Sequence, residues 1–208
     1  MTRKRVAILI SGRGSNMAAL IEAAKEADYP AEIALVVSNR PEAAGLARAE
    51  TAGIATAVVD HTVYGKDREA FERALQAVLE AHRIDLVCLA GFMRLLSPSM
   101  VERWHERMLN IHPALLPAFK GLDTHRRALA AGAKTHGATV HLVVADMDSG
   151  PIVLQESVPV HEGDTVETLS ARVLEIEHRI YPRALRLLAQ GRVRVVDGRC
   201  LIDCQAGG

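Results

Sequence analysis

The sequence predicts an α/β protein: a mostly parallel sheet flanked by helices, with antiparallel additions in the C-terminal half. Three observations carry that prediction. Short apolar, β-branched runs alternate with helical patterns as far as Ala90, the texture of βαβ units. Those runs are continuously apolar, as strands covered on both faces must be. After Met108 the runs lengthen, partly alternate and succeed one another across a short Asp/Gly/Pro connection, which points to antiparallel pairing. The result is a Rossmann-like sheet with an antiparallel extension.

The elements come in order along the chain. A strand at 6–10 leads into a helix through about Ala27, and a strand at 33–37 into a helix over about 41–52. The run 54–59 precedes a charged amphipathic helix at about 67–82, and 85–90 forms a fourth strand. Residues 108–112 make a further strand, closed by Pro113, which cannot continue a ladder. The runs 136–144 and 152–160 are the antiparallel pair. A long helix at about 165–189 places Leu169, Val173, Ile176, Ile180, Ala184 and Leu187 near helical spacing, and Pro182 should kink or split it. Residues 193–202 close the chain as a hairpin around Asp197-Gly198. No repeat, low-complexity tract or linker interrupts the chain, so one domain over 1–208 is expected.

Composition narrows the function classes. A chain of 208 residues that is 49% hydrophobic has length for a substantial core and is not disordered. A formal net charge of zero offers no field for nucleic acid or an anionic membrane, so neither is expected as a partner. The apolar run after Arg5 lasts about five residues, shorter than the roughly 7–15 of a signal peptide. No segment approaches the roughly 20 apolar residues of a membrane span. A soluble, cytoplasmic protein is expected. Cys88, Cys200 and Cys204 are an odd set without histidines at zinc spacing, so neither a disulfide framework nor a metal site is expected.

Directly after the first strand, Ser11-Gly12-Arg13-Gly14-Ser15-Asn16 opens a helix. Free amides at a helix N-terminus favour an anion. The dinucleotide fingerprint needs a third glycine where Met17 stands, and a P-loop needs Gly-Lys-Ser/Thr, so both patterns fail. What remains suits a single phosphate, or is a plain turn with Ser15 or Asn16 as helix cap.

The polar residues of the second half are a different kind of signal. Asn110 and His112 lie two apart, so a strand aims both at one face and Ile111 at the other. Asparagine is disfavoured in strands, which argues for a role. Asp148 lies in Asp146-Met147-Asp148-Ser149-Gly150-Pro151, where Asp146 reads as a turn residue. An amide, an imidazole and a carboxylate are what an acyl transfer without a covalent intermediate would use. Asn110 would donate to the oxyanion, and a protonated His112 would stabilise it and then protonate the leaving nitrogen. Asp148 would raise the His112 pKa. Such a route requires no nucleophile, metal or redox cofactor.

These stretches, with Gly91-Phe92-Met93-Arg94-Leu95-Leu96-Ser97, Leu115-Leu116-Pro117, Gly121 and Thr124-His125-Arg126-Arg127-Ala128-Leu129, resemble the phosphoribosylglycinamide formyltransferase family from about residue 5 to 190. The resemblance implies the formyltransferase fold and transfer of a formyl group from the co-substrate 10-formyltetrahydrofolate to the amine of glycinamide ribonucleotide, in purine synthesis. It implies Asn110, His112 and Asp148 at the chemistry. Gly14, Ser15 and Asn16 would hold the ribonucleotide's phosphate, and Glu177 would meet its amine. Arg68, Met93, Arg94, Leu95 and Leu96 would line the folate site with Asn110, Val143 and Asp148. Without it, Arg68 and Glu177 read as solvated helix faces. The chain departs from the family at Asp123, where histidine is frequent, and at Ala118-Phe119-Lys120. Neither departure touches the catalytic set.

Three alternatives are weighed. Methionyl-tRNA formyltransferase resembles the chain around the same set but adds a C-terminal domain and lacks the Thr124 to Leu129 motif. A formyltetrahydrofolate hydrolase carries an extra N-terminal domain. A silent nucleotide- or folate-binding protein would not need the intact set. The expectation is a monomeric or homodimeric enzyme acting on small molecules.

Overall fold

The computed structural model describes residues 2–203. Seven strands form one sheet in the order β3-β2-β1-β4-β5-β6-β7. They are β1 Lys4–Ile10, β2 Ala31–Ser38, β3 Thr56–Val58, β4 Leu86–Leu89, β5 Met108–His112, β6 Thr135–Leu142 and β7 Ile152–Pro159. The first five run parallel, whereas β6 and β7 are antiparallel additions. A separate hairpin pairs β8 (Val193–Val196) with β9 (Arg199–Ile202). Its turn residues Asp197 and Gly198 both have positive φ, as the sequence implied.

Strand alternation divides the core between the two faces. Val6, Ile8 and Ile10 of β1 pack with α1 (Ser15–Ala23), α2 (Ala44–Thr51) and α6 (Val166–Ala189). Ala7 and Leu9 face the other way, against α3 (Arg68–Ala81) and α4 (Pro98–Arg103). Every side chain from Val6 to Ile10 is fully buried, which is why that run is apolar without alternation.

Several expectations are corrected. The first helix ends at Ala23 rather than near Ala27, and the second starts at Ala44 rather than near Pro41. Pro182 does not split α6, which runs unbroken for 24 residues. Ile180, Tyr181, Ala184 and Leu185 are buried on both sides of the proline, so tertiary packing outweighs the lost backbone bond. Helices α4 and α5 (Thr124–Ala130) and a 3₁₀ turn at His61–Tyr64 had no counterpart in the sequence reading. They are too short to show a period, although Ser97 before Pro98 is a legible cap signal, and Ser97 Oγ does accept from Met100 N–H. Cys204 lies outside the described residues. No described helix is long and apolar enough to cross a membrane.

Candidate active site

The parallel strands converge on loops at their C-terminal ends, where ligands of open α/β sheets bind at the reversal of strand order, here between β1 and β4. Gly14 caps α1 in the left-handed conformation (φ 70°, ψ 37°), and neither Ser15 nor Asn16 makes the cap that a plain turn would use. The first amides of α1 thus lack a side-chain acceptor from the cap. Asn16 instead reaches across to α6, its Nδ2 donating to Glu177 Oε2 at 2.5 Å. Asn16 Oδ1 is buried without a partner. Glu177 is only 8% exposed, which overturns the solvated-face reading. Burial raises its carboxyl above the ordinary range, against the opposing pull of the Asn16 bond.

On β5, Leu109 and Ile111 enter the α6-side core, so Asn110 and His112 share the opposite face, as the alternation required. The ladder ends at His112, before Pro113. A buried frame fixes the chain beyond it. Thr139 Oγ1 donates to Ala114 O (2.6 Å) and accepts from Leu116 N–H (3.1 Å), while Gln155 Nε2 donates to Leu116 O (2.9 Å).

His112 is buried between two partners. Its Nε2 lies 3.0 Å from Phe119 O and its Nδ1 lies 3.4 Å from Asp148 Oδ2. A carbonyl only accepts, so Nε2 carries the hydrogen and Nδ1 is bare in the neutral ring. Burial lowers the His112 pKa, outweighing the Phe119 carbonyl and the Asp148 carboxylate, which both raise it. This corrects the expectation that Asp148 would leave the pKa raised: withdrawing the ring from water costs more than its carboxylate neighbour returns.

Asp148 sits at φ 51°, a left-handed conformation that aspartate tolerates better than most residues. Its Oδ2 accepts from Gly121 N–H at 2.8 Å, and its Oδ1 is 3.7 Å from His141 Nε2. Burial pushes its pKa up, but His141, the Gly121 amide and His112 together bring it below the ordinary value. Lys120 reaches the Ser149 hydroxyl and Asp146 from the same loop. Asp146 accepts from Ser149 Oγ, the turn role expected of it.

Sequence reasoning missed His141. Its Nδ1 donates to Leu142 O at 2.9 Å, leaving Nε2 to accept from Asn110 Nδ2 at 3.2 Å. One amide hydrogen of Asn110 is thereby anchored and the other is left for a ligand. The signal was present in the alternation of β6, but pairing Asn110 opposite His141 needed the strand register. His136 was missed too. It is 1% exposed, and neither ring nitrogen makes a hydrogen bond of normal geometry, although the Pro113 backbone lies close enough to favour the charged form. Burial, His125 and His112 push its pKa down to about 4.

The folate-side expectations are scattered more widely. Met93 and Leu95 are 59% and 65% exposed, an unusual apolar display beside the glycine loop. Leu96 and Val143 pack on the core beneath. Arg94 is half-buried and forms no ion pair among the described residues. Arg68 opens α3 in an exposed position and joins none of these contacts. No described group of three or more His, Cys, Asp or Glu is arranged to hold a metal.

The formyl transferase family model matches residues 4–185. The chain belongs to that family. Within it, the chain is 43% identical over 200 residues to the phosphoribosylglycinamide formyltransferase of Escherichia coli (strain K12), covering 96% of this chain and 94% of that protein. It is 53% identical over 193 residues to the trifunctional purine biosynthetic protein adenosine-3 of Homo sapiens, of whose length it spans only 19%. The structure of glycinamide ribonucleotide transformylase 1 from Symbiobacterium toebii superposes with a TM-score of 0.93 at 48% identity, covering 96% of this chain and 94% of that one.

Proposed function

We propose that this chain transfers the formyl group of 10-formyltetrahydrofolate to the amine of 5′-phosphoribosylglycinamide, giving N-formylglycinamide ribonucleotide and tetrahydrofolate in de novo purine (IMP) synthesis. The observation that carries the mechanism is the His112 ring held between Asp148 and the Phe119 carbonyl, with Asn110 on the same strand face. Likeness to full-length phosphoribosylglycinamide formyltransferases supports the substrates.

The free amides after Gly14, with Ser15 and Asn16, suit the phosphate. The Asn16–Glu177 pair, with its unpartnered Oδ1, suits the glycinamide end, where a protonated or anionic Glu177 can accept from an amine. The exposed Met93 and Leu95, with Arg94, Leu96, Val143 and the more distant Arg68, suit a flat heteroaromatic co-substrate and its tail.

The amine nitrogen attacks the formyl carbon, forming the new C–N bond and leaving an oxyanion and an ammonium. The free N–H of Asn110 donates to the oxyanion, a contact worth about 3 kcal/mol. Bare Nδ1 of His112 beside the Asp148 carboxylate is a proton acceptor, so the ammonium supplies the proton that makes the imidazolium. Asp148 then stabilises that charge. The bond to the folate N10 breaks as the proton passes to it, and tetrahydrofolate departs. A neutral resting His112 is therefore the useful state. The setting proposed is that expected from the sequence, a cytoplasmic monomer or homodimer acting on small molecules.

The test monitors the absorbance change as 10-formyltetrahydrofolate becomes tetrahydrofolate, with and without the ribonucleotide. Release that requires the ribonucleotide and collapses in His112→Ala and Asp148→Asn supports the reading. Near-normal turnover in either variant sinks the mechanism, and equal release without the ribonucleotide indicates a hydrolase.

A further inference from the structure

Ser11 directly follows β1 and is 7% exposed, yet none of the roles above uses it. Its hydroxyl is fully engaged. Oγ accepts from Met93 N–H at 2.8 Å and donates to Asn39 Oδ1 at 2.5 Å. The Ser11 N–H donates to Gly91 O at 3.2 Å, so Ser11 is bonded twice to the 91–96 loop. Asn39, 1% exposed at the end of β2, is itself fixed. Its backbone N–H donates to Ile10 O (3.4 Å), and its carbonyl accepts from His61 N–H (3.4 Å) and from His61 Nδ1 (2.8 Å). One hydroxyl thus joins the loops after β1, β2 and β4, while Asn39 extends the chain to the 3₁₀ turn after β3.

Two of those loops carry different substrates in the proposed function. The loop 11–16 leads to the phosphate site, and the loop 91–96 presents the apolar wall for the folate. Apart from backbone contacts, Ser11 Oγ is the side-chain group that bonds one to the other. We propose that Ser11 is a positioning residue that fixes the phosphate loop and the folate loop in a single register, so that a hydroxyl already committed to protein partners sets the affinity for both substrates. Removing it leaves Met93 N–H and Asn39 Oδ1 without their partner, and each loop loses its brace to the other. This inference rests on the proposed substrate sites.

The experiment measures kcat, KM for each substrate and the melting temperature in the wild type, Ser11→Ala and Ser11→Thr. Ser11→Ala should raise both KM values by about fivefold or more, the effect of losing one buried hydrogen bond, with kcat changed less than about threefold. Ser11→Thr retains the hydroxyl and should return both KM values to within about twofold of wild type. A Ser11→Ala enzyme with a lower melting temperature and unchanged KM values makes the residue merely structural and overturns the inference, as does a rise in only one KM. Failure of the wild type itself to show ribonucleotide-dependent release overturns the proposed function, and the inference falls with it; the two failures are thereby distinguished.

Discussion

The half of the sheet from β1 to β4 and the half from β5 to β7 contribute to the candidate site in opposite ways. Strands β1, β2 and β4 are buried along most of their length on both faces, and no side chain within β1 to β4 joins the contacts of the candidate site. That half contributes only groups at and beyond its strand ends: the amides after Gly14, the Ser11 hydroxyl and the 91–96 wall. Beyond β4 the strands themselves carry the polar side chains of the candidate site. Asn110 and His112 project from β5, His141 from β6, and Asp148 from the loop before β7. The difference teaches that doubly covered parallel strands are suited to binding at their ends, whereas β5, parallel to β4 but paired antiparallel with β6, places polar residues on a strand face beside that edge.

Variants that break this division rank by expected effect. In the half from β5 to β7, His112→Ala should lower kcat by about 10²–10⁴-fold with KM for the ribonucleotide nearly unchanged. In the parallel half, Gly14→Ala should do the reverse. Its φ of 70° strains any side chain, and a Cβ would approach Gly45 Cα to 3.2 Å, so KM for the ribonucleotide rises while kcat holds. Steady-state kinetics on the two variants checks the split.

Next comes tolerance to added volume. A Cβ on Gly137 in β6 would fall 2.1 Å from Glu156 O, a backbone atom of the paired strand, and Gly137→Ala should cost about 3 kcal/mol. On Gly45 of α2 it would meet the tip of Ile10 at 2.5 Å, a side chain able to turn aside, so Gly45→Ala should cost about 1 kcal/mol. Denaturant melts of the two proteins measure the contrast directly. Equal losses would erase it.

Acid should probe the buried histidines around β5 and β6. His136 takes a proton only near pH 4 when folded and near the ordinary 6.5 when unfolded. Between those values the unfolded state holds more protons, so stability is full above about pH 6.5 and drains as pH falls toward 4. His112 and His125 are shifted in the same direction. The loss from His136 is on the order of 3 kcal/mol, and His136→Gln should flatten that part of the profile. The smallest effect expected is that of Lys120→Ala, whose partly exposed contacts with Asp146 and Ser149 should contribute less than about 0.5 kcal/mol to unfolding.

The two halves were also unequally legible. The strands and long helices of the parallel half were visible because continuous apolar runs and the 3.6-residue period are local signals. Helices α4 and α5, at six and seven residues, were not, since they are shorter than two full turns. In the candidate site, Asp148 stands beside His112 and Asn110 shares the strand face of His112: strand alternation aligned Asn110 with His112, and the family resemblance supplied Asp148. Glu177 illustrates the limit. Its local context is a charged helix face, and only the docking of α6 on α1 shows it buried against Asn16, 161 residues away.

By itself the sequence determined the order and kind of the principal elements, the shared face of Asn110 and His112, the end of β5 at Pro113 and the absence of a dinucleotide fingerprint, because periodicity, alternation and proline chemistry act between near neighbours in the chain. The tertiary structure decided the strand order, the His141 anchor on Asn110, the Ser11 brace and the direction of the His112 pKa shift. A pKa is set by everything that surrounds the ring, and the lowering of His112 arises from burial that overrides the nearby carboxylate. No spacing of residues along the chain encodes that balance.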